Sequence, residues 1–236
     1  GDGISGTDDA IYRITNGGEI SGYEVSLYVP GDESITPVRY IMEPEYRSQE
    51  SLNQEHAAEI LEEAKSTARW TTDDTNGSLY TFVPEDKTIG FRLVVTDAAA
   101  GSRYYELEKT VNGGNSWETL NSNPFMNVIG VAEGIEFFDS NFGFIGLQGA
   151  SGEHSQIYKT TDGGVSFQEI QLPMDQVTEV PEPGKTYGLT IADYQYLYMP
   201  VKDGDRLSIT VTSSSAETEG ILFYSEDNGE NWYLGN

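Results

Sequence analysis

An eight-residue pattern occurs three times in this chain: TVNGGNSW from Thr110 to Trp117, TTDGGVSF from Thr160 to Phe167, and SEDNGENW from Ser225 to Trp232. Aligned, the copies read Ser/Thr, any residue, Asp/Asn, any, Gly, any, Ser/Asn, aromatic. Each follows a run whose composition suits a β-strand. A repeat of this kind constrains architecture before it constrains activity, because each copy marks one supersecondary unit that buries its apolar face only against its neighbours.

The chemistry of the pattern is that of a hairpin turn. Gly114, Gly164 and Gly229 can take positive φ without a Cβ clash, and the side chains of Asn112, Asp162 and Asp227 can accept hydrogen bonds from backbone N–H groups of the turn. Ser116, Ser166 and Asn231 follow two residues after the glycine and can bind the turn again. Trp117, Phe167 and Trp232 then carry large apolar surfaces toward a core.

These residues resemble the Asp-box, or bacterial neuraminidase repeat, found in sialidases, in sortilin-type receptors and in propellers of photosystem assembly factors. The copy from Thr160 to Phe167 meets every position of the pattern; Asn112 replaces the acid in the first, and Asn231 replaces the hydroxyl in the third. The resemblance covers roughly residues 89–236. It implies an all-β chain built as a β-propeller of Asp-box type, with each box at the turn between the two outer strands of a blade. In such a fold the boxes are scaffold, away from the central cavity. The structural residues it names are Thr110, Asn112, Gly114, Ser116, Trp117, Thr160, Asp162, Gly164, Ser166, Phe167, Ser225, Asp227, Gly229, Asn231 and Trp232.

Length and composition fit that picture. A chain of 236 residues with 26 Gly and 15 Tyr can form one all-β domain of short strands and tight turns. The box acids lie 50 and then 65 residues apart, a spacing that suits blades of about 40–50 residues with one loop added. Four or five blades are expected in all, in a complete or an incomplete ring. Residues 1–9 read as a flexible leader and 10–236 as a single propeller-like domain, irregular over 10–88 and holding three box blades over 89–236. Strands are expected at Ala10–Thr15, Tyr23–Val29, Val38–Met42, Leu79–Val83, Ile89–Asp97 and Arg103–Thr110. One whole blade is expected from Gly134 to Leu172. The last unit should comprise Tyr194–Val201, Arg206–Thr212, Gly220–Glu226 and Trp232–Leu234, with Thr71–Gly77 a polar loop. Over Ser51–Arg69, Leu52, Ala57, Ile60, Leu61, Ala64 and Ala68 recur at helical spacing between Glu and Lys residues, so one amphipathic helix is inserted near 51–69.

Charge narrows the partners. With 39 acidic against 13 basic residues the formal charge is −26, which repels nucleic acid and anionic membrane surfaces. The absence of cysteine excludes disulfides, thiolate metal sites and a cysteine nucleophile. No apolar run approaches the ~18 residues of a membrane helix, so membrane insertion is not expected. A strongly acidic chain with this repeat reads as an exported bacterial protein, at the cell surface or extracellular. Its oligomeric state is not legible.

Catalytic signals are thin. The sialidases that share this repeat clamp a carboxylate with three arginines and use a Tyr/Glu nucleophile pair with an Asp acid/base. Tyr12-Arg13-Ile14, followed by Thr15, resembles their aromatic-Arg-Ile-Pro motif without its proline, and Arg13 is one of seven arginines. His56 and His154 suggest neither a zinc site nor a nucleophile-activating triad. The acidic pairs Asp8-Asp9, Asp73-Asp74 and Asp203-Gly-Asp205 lack the spacing of a calcium loop. No cofactor and no metal are expected. Tyr194, Tyr196 and Tyr198 alternate along one expected strand, so their rings should project from one face and could stack on a sugar or anchor a protein; together with Arg13 they are the candidate ligand-binding residues. The preferred function is a noncatalytic module that binds a glycan or a protein or assists assembly. The alternative is a glycoside hydrolase with a divergent carboxylate pair, which requires two carboxylates about 5–9.5 Å apart in a concave pocket.

Overall fold

The computed structural model describes residues 23–26, 39–42, 56, 59–60, 62–63, 65–66, 69–99, 101–217 and 219–235. The chain divides into two compact units, Gly1–Leu52 and Asn53–Asn236. In the first, strands β1 (Tyr23–Ser26) and β2 (Arg39–Met42) form an antiparallel pair in which Tyr23 faces Met42 and Ser26 faces Arg39. The expected strand at Ala10–Thr15, Arg13 with it, lies outside the described residues.

The second unit is built from three antiparallel sheets. The first comprises β3 (Thr71–Asp73), β4 (Ser78–Phe82), β5 (Gly90–Ala99), β6 (Ser102–Thr110) and β7 (Glu118–Asn121), in that order. Next come β8 (Val131–Phe137), β9 (Gly143–Gln148), β10 (Ser155–Thr160) and β11 (Gln168–Glu169) in the second sheet. The third sheet holds β12 (Tyr196–Leu197) and β13 (Val201–Asp203), both paired with β14 (Arg206–Thr212), followed by β15 (Ile221–Ser225) and β16 (Tyr233–Leu234). The expected polar loop at Thr71–Gly77 is therefore half strand. Thr71–Asp73 pairs with Ser78–Tyr80 through a turn in which Thr75 N–H donates to Asp73 Oδ1, and Gly77 closes it at φ +72°. Local polarity concealed an edge strand, since an edge strand buries little side chain.

Each repeat lies between the last two strands of its sheet, and all three corners have the same bonding. In the second copy Thr160 Oγ1 donates to Asp162 Oδ1 at 2.8 Å and accepts from Gly164 N–H at 2.9 Å, while Ser166 N–H donates to Asp162 Oδ1 at 2.9 Å. Thr110 with Asn112 and Gly114 repeats this geometry, as does Ser225 with Asp227 and Gly229. The two departures from the pattern keep donor matched to acceptor. Ser166 Oγ donates to Asp162 Oδ2 at 2.5 Å; in the first copy the direction reverses and Asn112 Nδ2 donates to Ser116 Oγ at 2.8 Å. In the third, Asn231 Nδ2 donates to Asp227 Oδ2 at 2.6 Å. Two successive left-handed residues make each corner: Gly113-Gly114, Gly163-Gly164, and Asn228-Gly229, where Asn228 tolerates φ +56°.

The corners also join sheets. A Cβ on Gly164 would lie 2.5 Å from Leu107 Cδ2 and 3.2 Å from Leu120 Cδ2, both of the first sheet. Beside it Phe91 of β5 stacks flat on Phe137 of β8, centroids 3.6 Å apart. Tyr105, Phe125 and Tyr158 continue the joint edge to face. Between the second and third sheets, Gly134 and Gly146 make room for Met199, whose side-chain atoms would come within 2.8 Å of a Cβ at either position. Buried Lys159 reaches across and donates to Gly229 O at 3.1 Å and Glu230 Oε1 at 2.6 Å.

Within the expected helix, His56, Glu59, Ile60, Glu62, Glu63 and Lys65 are helical; the rest of that span includes residues outside those described. Ile60 is buried against Tyr196, Tyr198 and Val201 on the far face of the third sheet. The chain leaving it touches the first two sheets and the β12–β13 connection: Arg69 O accepts from Thr81 Oγ1 of β4, and the Arg69 guanidinium reaches Glu136 of β8 at 2.7 Å and the carbonyl of Pro200.

Gly164→Ala and Gly113→Ala separate backbone strain from the joint. Both positions have positive φ, +90° and +68°, but a Cβ on Gly113 meets nothing nearer than 3.8 Å. Gly113→Ala should cost about 1 kcal/mol from strain alone, and Gly164→Ala about 2–4 kcal/mol through added overpacking, measured by urea denaturation. Equal losses would show that the corner does not carry the joint.

Candidate functional site

Alternation along a strand sends side chains to opposite faces, and in the first sheet the two faces differ in fate. Leu79, Phe91, Leu93, Tyr105 and Leu107 point into the core and are buried. Tyr80 and Phe82 of β4, Arg92 and Val94 of β5, and Glu106 and Glu108 of β6 point the other way and are half-buried. With Asp73, Asn76, Ser78, Gly113, Gly114 and Trp117 the β4 and β5 members line a shallow concavity of about 440 Å³.

The aromatic floor is continuous. Tyr80 meets Phe82 edge on at 6.2 Å, and Phe82 meets Trp117 at 6.1 Å. Arg92 lies over the Trp117 ring at 4.6 Å and is paired with Glu108, the residue opposite it in the ladder. Asp73 is the acid of the lining, and bonds from Thr75 hold its carboxyl below the usual range. This face is the new element of the site. Its trace in the sequence is the alternation in SLYTF, which places Tyr80 and Phe82 on one side of β4.

The three tyrosines expected to form a binding platform are placed otherwise. Tyr194, Tyr196 and Tyr198 are 3, 5 and 7% exposed, so none offers an open ring face. Nor do they share a strand: Tyr194 follows the 3-10 turn Ile191–Asp193 with its hydroxyl over Gly184, and β12 spans only Tyr196–Leu197. Pro200 lacks an N–H, and the strand that was expected to run on to Val201 is broken into β12 and β13. Tyr196 OH donates to Glu133 Oε2 at 2.5 Å, and Tyr198 OH donates to Ser215 O at 2.7 Å. All three rings pack in the interior, and Tyr196 reaches across to the second sheet.

Around them lies a set of buried charges that sequence reasoning missed. Glu133 occupies a bulge of β8, where the register slips between Ala132 and Gly134. Burial pushes its carboxyl up to about 7, against hydrogen bonds from Tyr196 and Ser155. Its Oε1 is buried without a hydrogen-bond partner. Glu136 is likewise raised to about 7 by burial, which outweighs the adjacent Arg69. Burial and the neighbouring Glu133 carboxylate push the Tyr196 hydroxyl far above its ordinary value. A nucleophilic tyrosine needs the reverse.

The histidines stay apart in kind: His56 is exposed on the helix, and the His154 ring covers Gly149 in the β9–β10 loop. Asp203 and Asp205 flank Gly204 in the β13–β14 turn, and Asp73 and Asp74 form the β3–β4 turn. Among the described residues no group of three or more His, Cys, Asp or Glu is placed to hold a metal ion. No described helix is long and apolar enough to cross a membrane.

No protein-family model matches this chain, and no curated protein does. Among solved structures it is similar to YCF48 bound to D1 peptide, at 17% identity and a TM-score of 0.34, over 70% of this chain and 45% of that one. The chain thus spans under half the length of that structure.

The raised carboxyls set the sign of a pH effect. Glu133 keeps its proton in the folded state up to about pH 7, whereas the unfolded chain releases it near its ordinary value of 4.5. The stability it contributes is complete below pH 4.5 and is lost as pH rises through 7. Glu133→Gln should leave stability at pH 5 nearly unchanged and raise it at pH 8 by about 1–2 kcal/mol, read as a shift in the urea midpoint. An unchanged pH slope would remove Glu133 as its source. Asp227, held near 2 by bonds from Asn231, acts in the opposite sense and loses its contribution only in strong acid.

Proposed function

We propose that this chain is a noncatalytic binding module of the Asp-box propeller type, whose three described sheets serve as blades, and that it holds a protein partner on the open face of the first sheet. The observation that carries this reading is a contrast between faces. The inner face of the first sheet and both faces of the second are closed by a neighbouring sheet, and Ile60 covers part of the far face of the third. Within its own unit, the face bearing Tyr80, Phe82, Arg92 and Trp117 is covered by neither of the other two described sheets, yet it carries aromatic and arginine side chains in the mixture that dominates protein-binding hot spots.

A protein suits this surface better than a glycan. Stacking on a sugar needs an open aromatic plane, and the Trp117 ring already carries Arg92, with Phe82 tilted against it at 55°. The propeller reading draws on the common geometry of the three corners and on Arg69, which bridges the first two sheets and the β12–β13 connection.

The hydrolase reading finds less support. It asks for two carboxylates facing a concave pocket, and the carboxylate lining the concavity is Asp73, committed to its own turn. The two acids with raised carboxyls, Glu133 and Glu136, are turned onto Tyr196 and Arg69 inside the sheet joints. The test is a protein and glycan array run beside a panel of chromogenic glycosides. Binding to protein features that Phe82→Glu abolishes, with no glycoside turnover, is the expected result. Turnover lost in Glu133→Gln would replace this reading with the hydrolase.

A further inference from the structure

The two joints between the described sheets of the second unit are made in the same way. Where the first sheet meets the second, Leu107 and Leu120 press on Gly164, and Asn121 Nδ2 donates to Val165 O at 3.1 Å and to Gly164 O at 3.4 Å. Where the second meets the third, the Lys159 stem lies 3.5 Å from a Cβ on Gly229, and its ammonium donates to Gly229 O. In each case the sheet before the corner supplies an apolar group over the glycine and an N–H donor to the corner's carbonyls. Gly164 and Gly229 are buried as a result.

The first corner has other surroundings. The three atoms nearest a Cβ on Gly114 belong to Phe82 and Trp117, side chains of its own sheet, at 3.4–3.7 Å. Among the described residues no side chain donates to Gly114 O, and Gly114 is half-buried. Register makes Phe82 the equivalent of Phe137. Phe82 pairs with Gly90 and Phe137 with Gly143, and these glycines face Thr110 and Thr160, the hydroxyls that open their repeats. Phe137 is capped by Phe91; among the described residues of its unit, the rings that meet Phe82 are Tyr80 and Trp117 of its own sheet.

We infer that the concavity is a sheet joint built to be completed by another protein, one that lays an aromatic or leucine side chain on Phe82 and brings a lysine or arginine to the carbonyl of Gly114. The charge of the face selects that cation. Asp73, Glu106 and Glu108 lie on it, Arg92 is already matched by Glu108, and the whole chain carries −26. A field of that sign draws a basic segment in and repels an acidic one. The inference rests on the binding reading above and specifies its partner.

A phage-displayed library of random 12-residue peptides, selected on the full chain and depleted on Phe82→Glu, tests it. Enriched sequences should pair an aromatic residue or Leu with Lys or Arg a few positions away. Synthesised, they should bind the unaltered chain at least tenfold more tightly than Phe82→Glu or Tyr80→Glu, and lose affinity several-fold between 50 and 300 mM salt. Near-UV dichroism checks that each variant folds, and Tyr80→Glu carries the test if Phe82→Glu does not. Enriched peptides that depend on Phe82 but lack basic residues would overturn this partner chemistry and leave the binding reading standing. A library with no Phe82-dependent binder would sink both. Sedimentation showing a dimer that Phe82→Glu dissociates would overturn the inference in favour of a second copy of this chain.

Discussion

The repeat corner is the interaction on which the rest of the structure depends. A buried hydroxyl at Thr110, Thr160 or Ser225 satisfies the N–H of a left-handed glycine and is in turn fixed by the next acid or amide. Leaving such a buried N–H unpaired would cost about 1–3 kcal/mol. With the hydroxyl in place the chain can reverse tightly and still bring bare backbone against the neighbouring sheet. Gly164 accepts Leu107 and Leu120 only because it has no Cβ. Turn chemistry and sheet packing are thus one device, and a change at the corner is felt in two sheets.

The joints differ in polarity, and this difference sets where pH acts. Between the first and second sheets the contact is aromatic and aliphatic, with Phe91 on Phe137 at its centre. Between the second and third it holds Lys159, Ser155, Glu133 and Tyr196. Burying these groups is tolerable because nearly every polar atom finds a partner; Glu133 Oε1 is among the exceptions. The pH response of the fold should therefore reside in the second joint, far in character from the aromatic face of the first sheet.

Much of the architecture was legible from local chemistry. Strands from Ser78 to Glu169 and from Arg206 to Ser225 fall close to where alternation and turn residues place them, and the three corners are bonded as their residue types imply. Thr71–Asp73 escaped notice because an edge strand needs no apolar pattern. The tyrosines at 194, 196 and 198 misled for a related reason. Period-two spacing states that side chains share a face only if the strand is continuous, and Pro200 with the preceding turn breaks it.

The sequence by itself determined the corners, their number among the described residues and the alternating faces of the strands, because hydrogen-bond donors, glycine φ and side-chain period are local properties. Only the tertiary structure decided which faces are covered. Tyr196 and Phe82 are both aromatic residues in alternating strands, yet one is buried on Ile60 and the other forms an aromatic floor beside Trp117. That outcome depends on which sheet or helix arrives from elsewhere in the chain. Glu133 teaches the same lesson: burial raises its carboxyl, against a hydrogen bond from Tyr196 of the third sheet that only tertiary packing brings to it.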